Sequence, residues 1–252
     1  MSRWLIGFSM AAIIAFFFAV EPIPQDPAYH DFADVRTLLG IANFWNVASN
    51  SVFLLVGLAG LALVARNPRL VGTAAMQGPW FVFFTGITLT AIGSGYFHIA
   101  PSNETLVWDR LAMTVAFAGF VTIVIGEYFS PAGARRLLAP VMLAGLFSVL
   151  YWARTAAAGY GDLRPYVIVQ FLPTVLVPLV LSVRRCASDL TPAMWLAIGF
   201  YMSAKLLEHF DDDIYAMTGV VSGHTLKHIA AAAAPLSLIL ALHSRSNVYI
   251  DD

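Results

Sequence analysis

Long apolar stretches separated by short polar segments dominate this sequence. A helix needs about 20 consecutive apolar residues to cross the roughly 30 Å hydrocarbon layer of a membrane. Eight stretches approach this length, and the segments between them are too short to form a second domain. They cover residues 4–20, 41–65, 78–99, 105–129, 138–153, 165–183, 192–210 and 222–243. The pattern therefore predicts an all-α fold, a polytopic membrane helix bundle.

We interpret the first stretch separately from the other seven. Residues 1–22 are expected to form an extra N-terminal transmembrane helix, and residues 23–252 a seven-helix core domain. A basic residue followed by an apolar run is also typical of a signal peptide. No clear small-x-small cleavage site precedes Glu21, which favours a retained helix.

Basic residues at the ends of these stretches predict how the bundle is oriented. Lys and Arg accumulate in the cytoplasmic loops of membrane proteins. With eight spans, one side holds most of the arginines and the other most of the acidic residues. The arginines of the first side are Arg3, Arg66, Arg69, Arg135, Arg136, Arg184, Arg185 and Arg245. Both termini are therefore expected in the cytoplasm.

Composition narrows the class of protein further. Of 252 residues, 59% are apolar and 12% are charged, whereas soluble domains carry about 25% charged residues. A soluble enzyme or a disordered scaffold is therefore disfavoured. The net charge of −1 gives no electrostatic reason to expect a nucleic-acid partner. The single cysteine, Cys186, excludes an intramolecular disulfide and a Cys-rich metal site.

Polar residues that a membrane disfavours gather at one end of three predicted helices. An ionisable side chain at the centre of a bilayer costs at least ~2.5 kcal/mol on insertion scales, so these positions need an explanation. The topology above places all of them near the non-cytoplasmic, periplasmic face. They are Ser94 and His98 in the third span, Asp109 in the fourth, and His224, Lys227 and His228 in the eighth.

Two of these residues have the spacing of metal ligands. His224 and His228 are four residues apart, so both rings lie on one face of a helix. A third imidazole from another helix would complete the three-ligand arrangement of a catalytic zinc site. His98 is the expected third ligand, and His209 is the alternative. Taken singly, each histidine also suits a polar helix end, but their joint depth favours a metal site.

Four sequence motifs resemble those of the alkaline ceramidase family. That family belongs to a wider group of seven-helix membrane hydrolases that includes the progestin and adiponectin receptors. The resemblance runs from about Asp31 to about His243. The extra first span departs from the seven-helix core and looks like the added anchor of a bacterial branch, which implies a bacterial inner membrane. The motifs are Ser94-Gly-Tyr-Phe-His98, Trp108-Asp109-Arg110, Ser222-Gly-His224-Thr-Leu-Lys-His228 and Asn43-Phe-Trp-Asn46-Val-Ala-Ser49-Asn50.

The resemblance implies a zinc-dependent lipid amidase. It assigns zinc to His98, His224 and His228, with Ser94 and Asp109 beside the attacking water. The substrate would be ceramide or a related N-acyl lipid, cleaved to a fatty acid and a long-chain amine. We expect Asp109 to act as general base and then general acid. We expect Ser94 to donate a hydrogen bond to the oxyanion.

A calcium site is a further expectation from the resemblance. Animal members carry an acidic loop and a glutamate just before Phe-Trp-Asn, where this sequence has Asn43. Asp31, Asp34 and Asn43 still offer the oxygen atoms that Ca²⁺ prefers. The competing interpretation is a solvated loop in which Asp31 or Asp34 pairs with Arg36.

Other polar residues have less specific interpretations. Lys227 is a candidate for binding an anionic headgroup, or it extends to the membrane interface. Trp108 is a weaker substrate-binding candidate, since an interfacial tryptophan needs no such role. Lys205 and Glu208 are expected to form a structural ion pair. The last group, expected to hydrogen-bond between helices, is Asn46, Ser49 and Asn50.

Three other functions compete with the hydrolase. A receptor or signalling protein would keep the same zinc site, so that only lipid turnover separates the two. A retinal protein would use Lys227, although that lysine lies close to the end of its helix. A haem protein would use His98 with His224 or His228 as axial ligands. We rank all three below an amidase.

Overall fold

A computed structural model describes residues 3–184 and 188–248. Arg185, one of the arginines used to orient the bundle, and Cys186 lie outside the described residues. The described chain is helical and contains no strand. Its helices are α1 (Arg3–Ala19), α2 (Phe44–Ala48), α3 (Ser51–Arg66), α4 (Ala74–Ile99), α5 (Asn103–Tyr128), α6 (Pro131–Ala157), α7 (Arg164–Val183), α8 (Thr191–His209), α9 (Asp211–Thr218) and α10 (Gly223–Val248). The predicted all-α fold is confirmed.

Six helices in the described ranges are long and apolar enough to cross a membrane. They are α2 with α3, α4, α5, α6, α7 and α10. The first and seventh predicted spans are not among them. The former, α1, has 17 described residues, and α8 carries Lys205 and Glu208, which lower its hydropathy. A multi-pass membrane protein is supported, while the count of seven helices plus one stays a prediction.

Close packing of α4 against α5 brings the polar ends of these two helices together. A Cβ atom added at Gly86 would lie 2.2 Å from the backbone nitrogen of Ala116. One added at Gly93 would lie 2.4 Å from the carbonyl oxygen of Trp108. Small residues allow membrane helices to approach this closely. The contact at Gly93 sets the last turns of α4 beside the first turns of α5.

The connection between α4 and α5 is short because a capping box starts the second helix at once. Ser102 Oγ accepts a hydrogen bond from the backbone N–H of Thr105, and Thr105 Oγ1 accepts one from the N–H of Ser102. This reciprocal pair satisfies two N–H groups at the start of the helix. The cap therefore fixes the position of Asp109, which lies in the second turn of α5.

Helix α10 begins in tight contact with the end of α8. A Cβ atom added at Gly223 would lie 2.2 Å from the carbonyl oxygen of Leu207. Above this junction, the segment between α1 and α2 folds over the same end of the bundle, and its Phe32 and Asp34 side chains are buried. Four helix ends, those of α4, α5, α8 and α10, thus meet beneath this segment.

Candidate metal centre

The three predicted histidine ligands lie together inside the bundle. His98 comes from the last turn of α4, and His224 and His228 come from the first two turns of α10. All three side chains are buried. One ring nitrogen from each lies within 4.8 Å of the others. Among the described residues, no other group of three or more His, Cys, Asp or Glu side chains converges in this way.

The distance between two of these rings suits a tetrahedral zinc ion. His98 Nε2 and His224 Nε2 are 3.3 Å apart. Two nitrogens at the usual Zn–N distance of 2.0–2.1 Å and at the tetrahedral angle would be separated by about 3.3 Å. The donor set, three imidazole nitrogens without a thiolate, is also that of a catalytic site with one open position. The residues present therefore fit zinc.

The remaining ring, that of His228, is held by a serine on a different part of the chain. Ser49 Oγ lies 2.7 Å from His228 Nδ1. Histidines that bind a metal usually make such a hydrogen bond with the other ring nitrogen, which fixes the orientation of the ring. Ser49 thus leaves Nε2 of His228 free to act as a ligand.

The segment between α1 and α2, which we call the covering segment, lies against the histidines. The Phe32 ring lies 4.7 Å from the His98 ring and 4.6 Å from the His224 ring, measured between centroids. Asp211 links this segment to α10, because its two carboxylate oxygens accept hydrogen bonds from the N–H of Ala33 (3.0 Å) and of His224 (2.6 Å). The apolar ring of Phe32 limits access of water to the histidines.

A cavity of about 480 Å³ extends from His228 into the bundle. Its lining includes His228, Ser94 and Asp109, all of which are buried. Most of the remaining wall is apolar, as expected of a pocket for an acyl chain. The apolar lining includes Phe53, Phe83, Ile87, Met113, Phe117, Val177 and Leu238.

The sequence profile of the ceramidase family matches residues 35–212, more than half of the chain. The chain belongs to the ceramidase family. The matched stretch contains Ser94, His98 and Asp109 and ends before α10. In this ceramidase-family protein, it is the fold that brings His224 and His228 to the matched residues. No curated protein matches the sequence significantly.

Two of the three residues predicted to bind calcium, Asp34 and Asn43, have protein partners in the structure. Asp34 Oδ1 accepts a hydrogen bond of 2.8 Å from Arg36 Nε, and its Oδ2 accepts one of 2.6 Å from Arg36 Nη2. Asn43 Nδ2 donates to the carbonyl oxygen of His98 at 2.8 Å, and Asp31 is exposed. The alternative interpretation, in which Asp34 pairs with Arg36, agrees with these contacts, and calcium binding stays a prediction.

The predicted ion pair between Lys205 and Glu208 is confirmed, at 2.7 Å. Glu208 also pairs with Lys227, so that one carboxylate joins α8 to α10. All three side chains line the cavity, which keeps Lys227 a candidate for contact with substrate. His209, the alternative ligand, is not part of the histidine cluster. Trp108 is 59% exposed and does not line the cavity.

Two contacts of the site and one residue of the cavity lining were not predicted. The expected interhelical hydrogen bond of Ser49 is present, but its partner, His228, could not be predicted because it depends on the fold. Asp211 belongs to a run of three aspartates, which in sequence resembles any solvated acidic segment. Arg110 follows Asp109 in a sequence motif that assigns it no role, yet it is 6% exposed and lines the cavity.

Proposed function

We propose that this protein is a zinc-dependent membrane amidase. It would hydrolyse the N-acyl bond of ceramide or a related N-acyl lipid to a fatty acid and a long-chain amine. The observation that carries the proposal is the 3.3 Å separation of His98 Nε2 and His224 Nε2, beside a cavity that His228, Ser94 and Asp109 line. Membership of the ceramidase family supports the same chemistry.

The metal centre, Asp109 and Ser94 would each have a separate role in hydrolysis. Zinc held by His98, His224 and His228 would supply a Lewis acid for the amide carbonyl and for water. Asp109 takes a proton from the attacking water and passes it to the nitrogen of the amine as the C–N bond breaks. Ser94 donates a hydrogen bond to the oxygen of the former carbonyl, where negative charge develops.

The surroundings of the site favour an amide with a long acyl chain. The apolar cavity wall excludes water, which strengthens the electrostatic interactions of Asp109 and Ser94 with the reacting groups. Phe32 covers the histidines, while the cavity extends between the helices. A lipid can therefore place its acyl chain among apolar side chains with its amide beside Ser94.

The test is the Asp109→Asn variant, assayed on ceramide with zinc content measured on the same sample. Asp109 is not assigned to the metal, so the variant should keep its zinc. Loss of a general base and acid should lower kcat by about 10²–10⁴-fold. Asp213→Asn, an exposed aspartate, is the matched control. An unchanged rate in Asp109→Asn would refute the role of Asp109. A zinc-loaded wild type that cleaves no N-acyl lipid would refute the amidase.

We also infer a topology in which both termini lie in the cytoplasm and the metal centre near the periplasmic face. The arginine distribution supports this orientation. A reporter enzyme that is active only outside the cytoplasm, fused after Asp252, should stay inactive. Activity of that fusion would place the C-terminus outside the cytoplasm and contradict this topology.

A further inference from the structure

Arg110 is a buried cation with an unused hydrogen-bond donor. It lies on α5 directly after Asp109, and its side chain is 6% exposed. Its Nη2 donates to Gln25 Oε1 at 2.5 Å, whereas its Nη1 is buried with no hydrogen-bond partner. No ion pair found in the described ranges includes Arg110. The guanidinium of Arg110 therefore carries its charge without an ion-pair partner among the described residues.

Aromatic rings surround the guanidinium on several sides. Its central carbon lies 4.3 Å from the ring centroid of Trp152, 4.8 Å from that of Tyr166 and 5.6 Å from that of Tyr29. Such cation–π contacts stabilise a buried cation and hold its plane in a fixed position. These contacts involve the face of the guanidinium and do not satisfy the hydrogen-bond donors at its edge. The edge therefore remains available to a planar or tetrahedral anion.

Arg110 belongs to the cavity that also contains Asp109 and Ser94. The other two cations of the lining, Lys205 and Lys227, both pair with Glu208. The carboxylate of Asp26, also in the lining, accepts the N–H of Ala28 and caps a short 3₁₀ helix. Asp109 has a separate role in proton transfer under the proposed function. Arg110 is thus the lining cation for which the described part of the chain provides no ion-pair partner.

We propose that Arg110 recognises an anionic group, a carboxylate or a phosphate, on the amine half of an N-acyl lipid substrate. This inference rests on the proposed amidase function and names the class of its substrate. The acyl half of the lipid fits the apolar wall, and Asp109 delivers its proton to the amine nitrogen. The amine half is therefore the part that meets the cluster of Arg110, Gln25 and the three aromatic rings.

Two matched pairs of lipids test this inference. N-oleoylglycine differs from N-oleoylethanolamine by a carboxylate in place of a hydroxymethyl group. Ceramide 1-phosphate differs from ceramide by one phosphate. The ratio of kcat/KM for the anionic over the neutral member is measured in each pair. Since a hydrogen bond to a charged group contributes about 1.5–3 kcal/mol, the ratio in the preferred pair should be at least about tenfold. The pair with the larger ratio identifies a carboxylate or a phosphate.

Three variants show whether Arg110 causes the preference. Arg110→Met should bring the ratio close to one, and Arg110→Lys should keep part of it, since lysine has the charge without the planar fork. Arg154→Met removes an exposed arginine of α6 and should leave the ratio unchanged. Wild-type ratios of one or below in both pairs, or a preference that survives Arg110→Met, would overturn the inference. If Arg110→Met does not fold, the wild-type ratios and Arg110→Lys still decide.

Binding separates this inference from the proposed function. The affinities of N-oleoylglycine and N-oleoylethanolamine are measured by titration calorimetry with Asp109→Asn protein, which does not need to turn over. Tighter binding of N-oleoylglycine without any turnover by wild type would support the Arg110 site and refute the amidase. Turnover of both neutral lipids with equal binding of the two probes would support the amidase and refute the Arg110 site.

Discussion

Ser49 Oγ lies 2.7 Å from Nδ1 of His228, and this hydrogen bond joins the end of α2 to the first turns of α10. It explains why a polar serine is buried at this depth in an apolar bundle. The contact fixes the orientation of a ring whose other nitrogen is directed to the proposed metal. Ser49 thereby links the end of α2 to the histidine cluster.

Replacing Ser49 by alanine should weaken zinc binding without abolishing it. Loss of a hydrogen bond to a metal-binding histidine typically lowers metal affinity by about 10–100-fold. The measurement is competition for zinc with a chelator of known affinity. Ser51→Ala, an exposed serine two positions along, is the control and should keep the wild-type affinity. Equal affinities in the two variants would mean that Ser49 does not orient the ligand.

Gly93 should be required for the close approach of α4 and α5. The Cβ of Gly93→Ala would lie 2.4 Å from the carbonyl oxygen of Trp108, so the two helices must separate. Overpacking of this kind costs about 1–3 kcal/mol. We expect a lower thermal midpoint in detergent and a lower rate of amide hydrolysis, because Ser94 and His98 move away from Asp109.

Gly95 provides the matched control for this prediction. It lies two residues along the same helix, and a Cβ added there meets no atom within 4 Å. Gly95→Ala should therefore keep the wild-type rate and midpoint, or raise the midpoint slightly through helix propensity. Similar losses in both variants would show that the cause is not the contact with Trp108.

The sequence predicts the parts of the site that depend on spacing within one helix and on how far along its span each polar residue lies. The four-residue spacing places His224 and His228 on one face, and the position of His98 at the same level suggests the third ligand. The partners of Ser49, Asp211 and Arg110 come from segments distant in sequence, so no local pattern predicts them. The course of the segment that carries Phe32 was not predicted either, because that segment has no helical periodicity.

The span count shows a second limit of sequence patterns. Apolar length alone predicted eight spans, and six of the described helices meet the requirement in the structure. Lys205 and Glu208 interrupt the seventh stretch, but they neutralise each other and face the cavity together with Lys227. A charged residue in a helix can face lipid or an oppositely charged residue on a neighbouring helix. Which of the two occurs depends on how the helices pack, and the sequence of one helix does not show this.

The pair of Asp34 and Arg36 should make the covering segment sensitive to acid. Hydrogen bonds from Arg36 lower the pKa of the Asp34 carboxyl, and Arg36 Nη2 also donates to the carbonyl oxygen of Val220 at 2.5 Å. A carboxyl with a lowered pKa in the folded state stabilises the fold at pH values above its unfolded pKa of about 3.9. That contribution is lost as the pH falls through the folded-state pKa.

The Asp34→Asn variant tests this pH dependence. At about pH 7 its thermal midpoint should lie below that of wild type, with a difference in stability of about 1–2 kcal/mol. The difference should shrink as the pH falls below about 4. Asp213→Asn, which changes an exposed aspartate, should follow wild type throughout. A difference that is constant from neutral to acid pH would mean that ionisation of Asp34 is not its source.

Removing Asp211 should loosen both the covering segment and the start of α10. Its two oxygens accept the N–H groups of Ala33 and His224, and each such hydrogen bond to a charged group contributes about 1.5–3 kcal/mol. Asp211→Ala should lower the thermal midpoint and the zinc affinity together. Asp212→Ala, at the exposed neighbouring position, should change neither. A lower midpoint with unaltered zinc affinity would limit Asp211 to a structural role.

Zinc content and ceramide hydrolysis, measured on one purified sample, test the central proposal most directly. We expect about one zinc per chain in the wild type, and activity that a chelator removes and added zinc restores. The double variant His224→Ala/His228→Ala should contain no zinc and show no activity, while it remains folded by circular dichroism. A folded wild type that neither contains nor takes up zinc, or one that hydrolyses ceramide equally well without it, would contradict the proposal.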